Sequence, residues 1–135
     1  MQDLPSTLRS VATPDAPAPG GHYSQAVVHG GLVYVSGQLP VVAAAPHDPA
    51  APFEVQARRA LTNLLAILAA AGSSPRSLLK VSAYIVGAEH WPAFNAVYAD
   101  VLGAAKPARS VIPVPGLHYG YLIEIDAVAA QERTP

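Results

Sequence analysis

The stretch from Phe53 to Ala71, FEVQARRALTNLLAILAAA, limits the possible folds more than any other part of the chain. Phe53, Ala57, Ala60, Leu61, Leu64, Leu68 and Ala71 recur at three- and four-residue steps, while Arg58, Arg59, Thr62 and Asn63 turn elsewhere. That period predicts a helix with one apolar face. Gly72 follows where a C-terminal cap is wanted. A helix of this kind must lay its stripe on another element, and the segments on either side change to the pattern of strands.

Upstream, SQAVVHGGLVYVSGQLP reads as two strands, 25–28 and 32–36, hinged at Gly30-Gly31, a dipeptide suited to a tight hairpin. VVAAAPHDPAAP follows as a loop. Downstream, Ser74-Pro75 reads as an N-cap with proline opening a short helical turn, ahead of a strand over 80–86. A second helix is predicted over 92–102, with Phe94, Val97, Tyr98 and Val101 on one face, and strands over 109–114 and 121–129 close the chain. The order ββ, α, β, α, ββ without internal repeat predicts an α+β domain, a mixed β-sheet covered on one face by two α-helices. The two helical crossovers predict some parallel pairing. Residues 1–20 carry Pro5, Pro14, Pro17 and Pro19 with no sustained period and are expected to form a loosely ordered lead-in to a single domain over 21–131.

Composition removes several functions. The 135 residues include no cysteine, which excludes a disulfide, a thiolate nucleophile and a cysteine zinc site. No apolar run reaches the length of a membrane span, and the first residues lack a signal-peptide core, so a cytoplasmic location is expected. The net charge of −1 gives no electrostatic footprint for nucleic acid or for an anionic membrane, and neither is expected as a partner. Charged residues make up 13% of the chain, where about 25% is usual, so part of the surface is expected to meet another subunit.

Two residues stand out as chemistry. In KPARSVIPVP, Arg109 lies among Ala108, Val111 and Ile112, and a guanidinium with five donors needs a partner there. In YLIEIDAVAA, Ile123, Ile125, Ala127 and Ala129 alternate with Glu124, Asp126 and Val128, the pattern of a half-buried strand with its acids on one face. A plain hairpin of the last two strands, centred between Gly116 and Leu117, would set Arg109 opposite Glu124. The two would then form a cross-strand ion pair, or Arg109 would hold a substrate carboxylate while Glu124 holds a water. His22, His29, His47, His90 and His118 show no metal-ligand spacing, and Gly30, Gly31 and Gly37 no phosphate-loop spacing. Ser36 has no adjacent His or Asp, so its backbone rather than an activated hydroxyl is the expected contributor.

The blocks HYSQAVVHGGLVYVSGQLP, QARRALTNLLAILAAAGSSPRSLLKVSAYIV, WPAFNAVYADVLG and PARSVIPVPGLHYGYLIEIDAVAA, in unbroken order over about residues 22–130, resemble those of the RidA family, also called the YjgF/YER057c/UK114 family. The specific parts are VYVSGQLP, and PARS followed fifteen residues after its arginine by the glutamate of IEIDAVA. The resemblance implies a chorismate-mutase-like α+β fold and a homotrimer with clefts between subunits. It further implies hydrolytic deamination of reactive 2-enamine and 2-imine acids to 2-keto acids and ammonia, with no metal or organic cofactor. By position, Arg109 matches the family's carboxylate-binding arginine and Glu124 its water-handling glutamate. Tyr23, Ser36, Gly37 and Asn95 match residues lining the cleft, and the Val111 backbone would sit beside the substrate carboxylate. Two loops depart from the family pattern: VVAAAPHDPAAP replaces the usual Asp-Pro-x-Thr-Gly, and GLHYGY the usual Leu-Pro. The family also admits two other functions, a non-catalytic trimeric regulator that binds a 2-keto acid or similar carboxylate, and an RNA-cleaving protein. The charge balance makes the RNA-cleaving reading the weakest.

Overall fold

A computed structural model describes residues 7–133. Its strands are β1 (Arg9–Val11), β2 (Ala26–His29), β3 (Leu32–Gln38), β4 (Leu78–Ile85), β5 (Ala108–Pro113) and β6 (Ile123–Ala130); its main helices are α1 (Phe53–Ala70) and α2 (Trp91–Leu102). The six strands form one sheet in the order β1-β2-β3-β6-β4-β5. Only β4 and β5 run parallel; every other neighbouring pair is antiparallel. Both helical crossovers return the chain in its starting direction, with β6 inserted between β3 and β4, so the sheet is mixed as expected.

Local chemistry sets the turns. Gly30 and Gly31 have φ of 58° and 78°, the pair of positive values that a type I′ hairpin demands. Gly72 ends α1 at φ 81°. Both helices cover one face of the sheet. Leu61, Leu64, Ile67 and Leu68 of α1 and Phe94 and Val97 of α2 join Val33, Val81, Ile123 and Ile125 in one core. Strand β6 alternates buried and half-buried residues along its whole length. Its other face, with Tyr34 of β3, Tyr84 of β4 and Glu124, Asp126 and Val128 of β6, carries no helix among the described residues.

Four expectations are corrected. The last two strands are not a hairpin: β4 lies between β5 and β6, because the α2 crossover delivers β5 as a parallel neighbour of β4. Arg109 is therefore in register with Val81, and Glu124 with Tyr84. Strand β5 is an edge, so Ala108 and Arg109 are exposed rather than set in an interior. The lead-in is not loose throughout. Arg9–Val11 pairs with β2, Ala16 is buried, and the Gln25 amide binds Thr13, Ala16 and Pro17; residues 1–6 lie outside the described residues. Asn63 does not turn away from the core. It is 5% exposed, and its amide donates to the carbonyls of Leu39 and Val41.

Candidate active site

Glu124 stands on the open face of β6, half-buried at the wall of a cleft of about 450 Å³. Tyr23, Ser36 and Gly37 line the same cleft, so four of the residues anticipated from sequence come together. The pairing of β3 with β6 slips between Val35 and Gln38, and this bulge sets Gly37 against the Glu124 carboxyl. The Ser36 hydroxyl donates to the Ser24 carbonyl at 2.6 Å, a structural bond that leaves it no part as a nucleophile. The Tyr23 hydroxyl accepts from the Gly20 amide at 3.2 Å, folding the ring back over its own turn.

Two carboxylates share this face, and only one is committed. Asp126 accepts a hydrogen bond from the Tyr84 hydroxyl at 3.1 Å. Glu124 has no such bond among the described residues, and burial raises its pKa above the ordinary carboxylate value. His118 opposes that shift and Asp126 adds to it. A carboxylate that gives up its proton reluctantly, open to a cleft, is equipped to take and return one.

Arg109 lies elsewhere. In register with Val81, it points to the helix side of the sheet, where its guanidinium carbon stands 5.5 Å from the Phe94 ring centroid and 5.0 Å from that of Tyr98. Its offset from Glu124 is roughly 10 Å along the strands and roughly 10 Å across them, on opposite faces. It forms no ion pair among the described residues. Asn95 sits half-buried next to Phe94 on α2, and Val111 lines a small apolar hollow with Trp91 and Pro113. The anticipated residues thus form two groups on one protomer, Tyr23, Ser36, Gly37 and Glu124 in the cleft, and Asn95, Arg109 and Val111 at the β5 edge.

His118, in the GLHYGY loop that departs from the family pattern, also lines the Glu124 cleft; sequence reasoning missed Tyr119 beside it. Tyr119 adopts φ 63°, and its ring stacks on His47 at 4.0 Å. No spacing in HYGY signals this; it follows from contact between the two loops that depart from the family pattern. No group of three or more potential metal ligands occurs among the described residues.

A two-layer α+β domain with a carboxylate cleft on its open sheet face is the class of protein that the fold and site define. The family model described as Endoribonuclease L-PSP matches residues 13–131, and the chain belongs to this family, the RidA (YjgF) family. A RutC family protein of Pyrococcus horikoshii is 37% identical over 122 residues, covering 90% of this chain and 97% of that one. A 2-iminobutanoate/2-iminopropanoate deaminase of Dermatophagoides farinae is 34% identical over 127 residues, covering 94% and 99%. The crystal structure of E. coli TdcF with bound serine superposes with a TM-score of 0.86 at 34% identity, covering 92% of this chain and 99% of that chain.

Proposed function

We propose that this protein hydrolyses reactive 2-enamine and 2-imine acids to 2-keto acids and ammonia, at sites formed between the subunits of a homotrimer. The observation that carries the reading is the division of the machinery. Among the described residues the Glu124 cleft holds no arginine or lysine, and Arg109 pairs with no acid; on one protomer they face opposite ways. A second copy that brings its β5 edge to this cleft supplies the missing half, in keeping with the uncovered sheet face. The name of the Dermatophagoides relative supports the substrate class.

The chemistry needs little more. Arg109 fixes the substrate carboxylate through two parallel hydrogen bonds and so aims the C=N carbon. Glu124 accepts a proton from the attacking water and returns one to the departing nitrogen of the tetrahedral carbinolamine, which leaves as ammonia. The test is to generate 2-iminobutanoate in situ with a threonine dehydratase and follow its decay. Faster decay with this protein, lost in Glu124→Gln, supports the reading; decay at the uncatalysed rate ends it.

A second reading draws on the serine-bound TdcF neighbour, namely a regulator in which the same arginine binds a carboxylate ligand without turnover. Glu124 favours the deaminase reading, since holding a ligand carboxylate calls for the arginine alone and not for a second acid in the cleft. The net charge of −1 disfavours the RNA-cleaving reading.

A further inference from the structure

The Glu124 cleft does not end at Glu124. It shares Gly20, Tyr23, Gly37, Leu39 and Tyr119 with a second cavity of about 270 Å³ that runs beneath the loop after β3. The two cavities therefore adjoin across these shared walls. The far wall is made of Val41, Val42, the three alanines 43–45 and His47. Alanine carries nothing beyond its β-carbon, so the run leaves the chamber unfilled. The Gln25 amide at its edge is fully engaged by Thr13, Ala16 and Pro17.

An independent observation falls on the same chamber. Ala44 and Tyr119, at φ 61° and 63°, are the two non-glycine residues with positive φ among the described residues, and both line it. Such backbone persists only where surrounding structure fixes it, and it gathers at binding sites. The fixing contacts are present. Tyr119 stacks on His47, whose Nδ1 lies 3.1 Å from the Tyr121 hydroxyl. That hydroxyl also accepts from the Asp48 amide, and buried Asn63 ties Leu39 and Val41 to α1.

We infer that this chamber receives the substrate's side chain, so that the protein prefers 2-imino acids with a branched aliphatic or aromatic side chain to the three- and four-carbon 2-imino acids. The inference rests on the deaminase reading above and names its substrate class. A dry cavity of roughly 150 Å³ suffices to hold a benzene ring. A chamber of about 270 Å³ thus has room for an isobutyl or benzyl group. With an ethyl group it would stay largely filled with water, and the valine and alanine part of its wall would gain little from binding.

The test uses an amino-acid oxidase with catalase to generate imines from leucine, phenylalanine and 2-aminobutanoate. Trapping the residual imine then gives kcat/KM for each. We expect the leucine and phenylalanine imines to be favoured by about tenfold or more, the scale on which hydrophobic pockets discriminate by size. Ala43→Leu, which fills the chamber, and Tyr119→Gly, which removes its wall while tolerating positive φ, should each reduce that ratio by about tenfold. Calorimetry with 4-methyl-2-oxopentanoate and 2-oxobutanoate reads the same preference without turnover. Rapid hydrolysis of 2-iminobutanoate, with a ratio near one that neither variant moves, overturns the chamber's role and leaves the deaminase reading intact. Absence of hydrolysis with every imine overturns both.

Discussion

Gly37 and the Glu124 carboxyl occupy adjoining space so closely that a β-carbon built on Gly37 would stand 3.0 Å from Glu124 Cδ. The glycine is not there for its backbone, since its φ is not among the positive ones. It is there because the bulge between Val35 and Gln38 turns this position toward the acid. Gly37→Ala is thus expected to fold normally, as the displaced group is the far end of a flexible side chain. Turnover should fall about a hundredfold, the effect of misplacing a catalytic group by an ångström. Steady-state kinetics beside a thermal melt check this; full activity would show that Glu124 tolerates displacement.

Glu124→Gln separates chemistry from folding. Turnover is expected to drop by about a hundredfold or more, with 2-keto-acid binding retained. The stability change has a definite sign. Burial raises the folded-state pKa, so the contribution of this group is fully present below the unfolded carboxylate value and lost as pH rises through the raised one. At neutral pH the ionised Glu124 therefore weighs against the fold, and the Gln variant should melt no lower than wild type there. Its advantage should vanish in acid. Denaturation curves across pH 3 to 8 test this, and a Gln variant less stable at neutral pH would mean that Glu124 is held by an ionic partner.

Glu132 has the opposite sign. Ser74 and Ser77 both donate to its Oε2 at 2.5 Å, Arg76 stands nearby, and these bonds lower its pKa. The stabilisation is present above the ordinary carboxylate value and lost as pH falls through the lowered one. Its backbone amide binds the Gly72 carbonyl, so this cluster fastens the chain after β6 to the end of α1. Glu132→Gln is expected to speed hydrogen exchange at the Glu132 and Arg133 amides at neutral pH, with little effect on turnover. Unchanged exchange would assign the tether to the backbone bonds alone.

Most of the fold was legible because period and punctuation agree. The apolar steps from Phe53 to Leu68 gave a helix, Gly30-Gly31 gave a hairpin, and the alternation from Ile123 to Ala129 gave a half-buried strand. Strand adjacency was not legible: nothing local to Arg109 or Glu124 records that β4 runs between them, since pairing order is decided by distant segments. The three-residue β1 is too short to show a period. Asn63 reads as a surface residue until the loop carbonyls it binds are known, and no residue pattern announces a tyrosine at positive φ. The site was legible as a set of residues and not as a geometry. Glu124 and its three cleft neighbours came together, while Arg109, Asn95 and Val111 did not join them.

Arg109→Lys keeps the charge and loses the planar fork. The variant should fold and assemble, because the exposed stacking on Phe94 and Tyr98 is worth only about 0.5–1 kcal/mol. Its affinity for 2-oxobutanoate should weaken by about 1.5–3 kcal/mol, the worth of a hydrogen bond to a charged group. Equal affinities in calorimetry would make the arginine structural.

The split between Arg109 and Glu124 gives the sharpest test of assembly. If each site takes its arginine from one subunit and its glutamate from the next, Arg109→Ala and Glu124→Gln homotrimers are both inactive, yet each retains the residue the other lacks. Unfolding and refolding an equal mixture distributes the subunits at random. A site is then intact when a Glu124→Gln subunit supplies the arginine and an Arg109→Ala subunit the glutamate, so about a quarter of wild-type activity should return in a closed ring. Light scattering on the same samples should give the mass of three chains. Return of activity with that mass supports a site shared between subunits. A trimer that stays inactive after mixing would place both residues of each site on one chain, against the opposite faces they occupy here. A monomer would leave Arg109 and Glu124 too far apart to act on one small substrate.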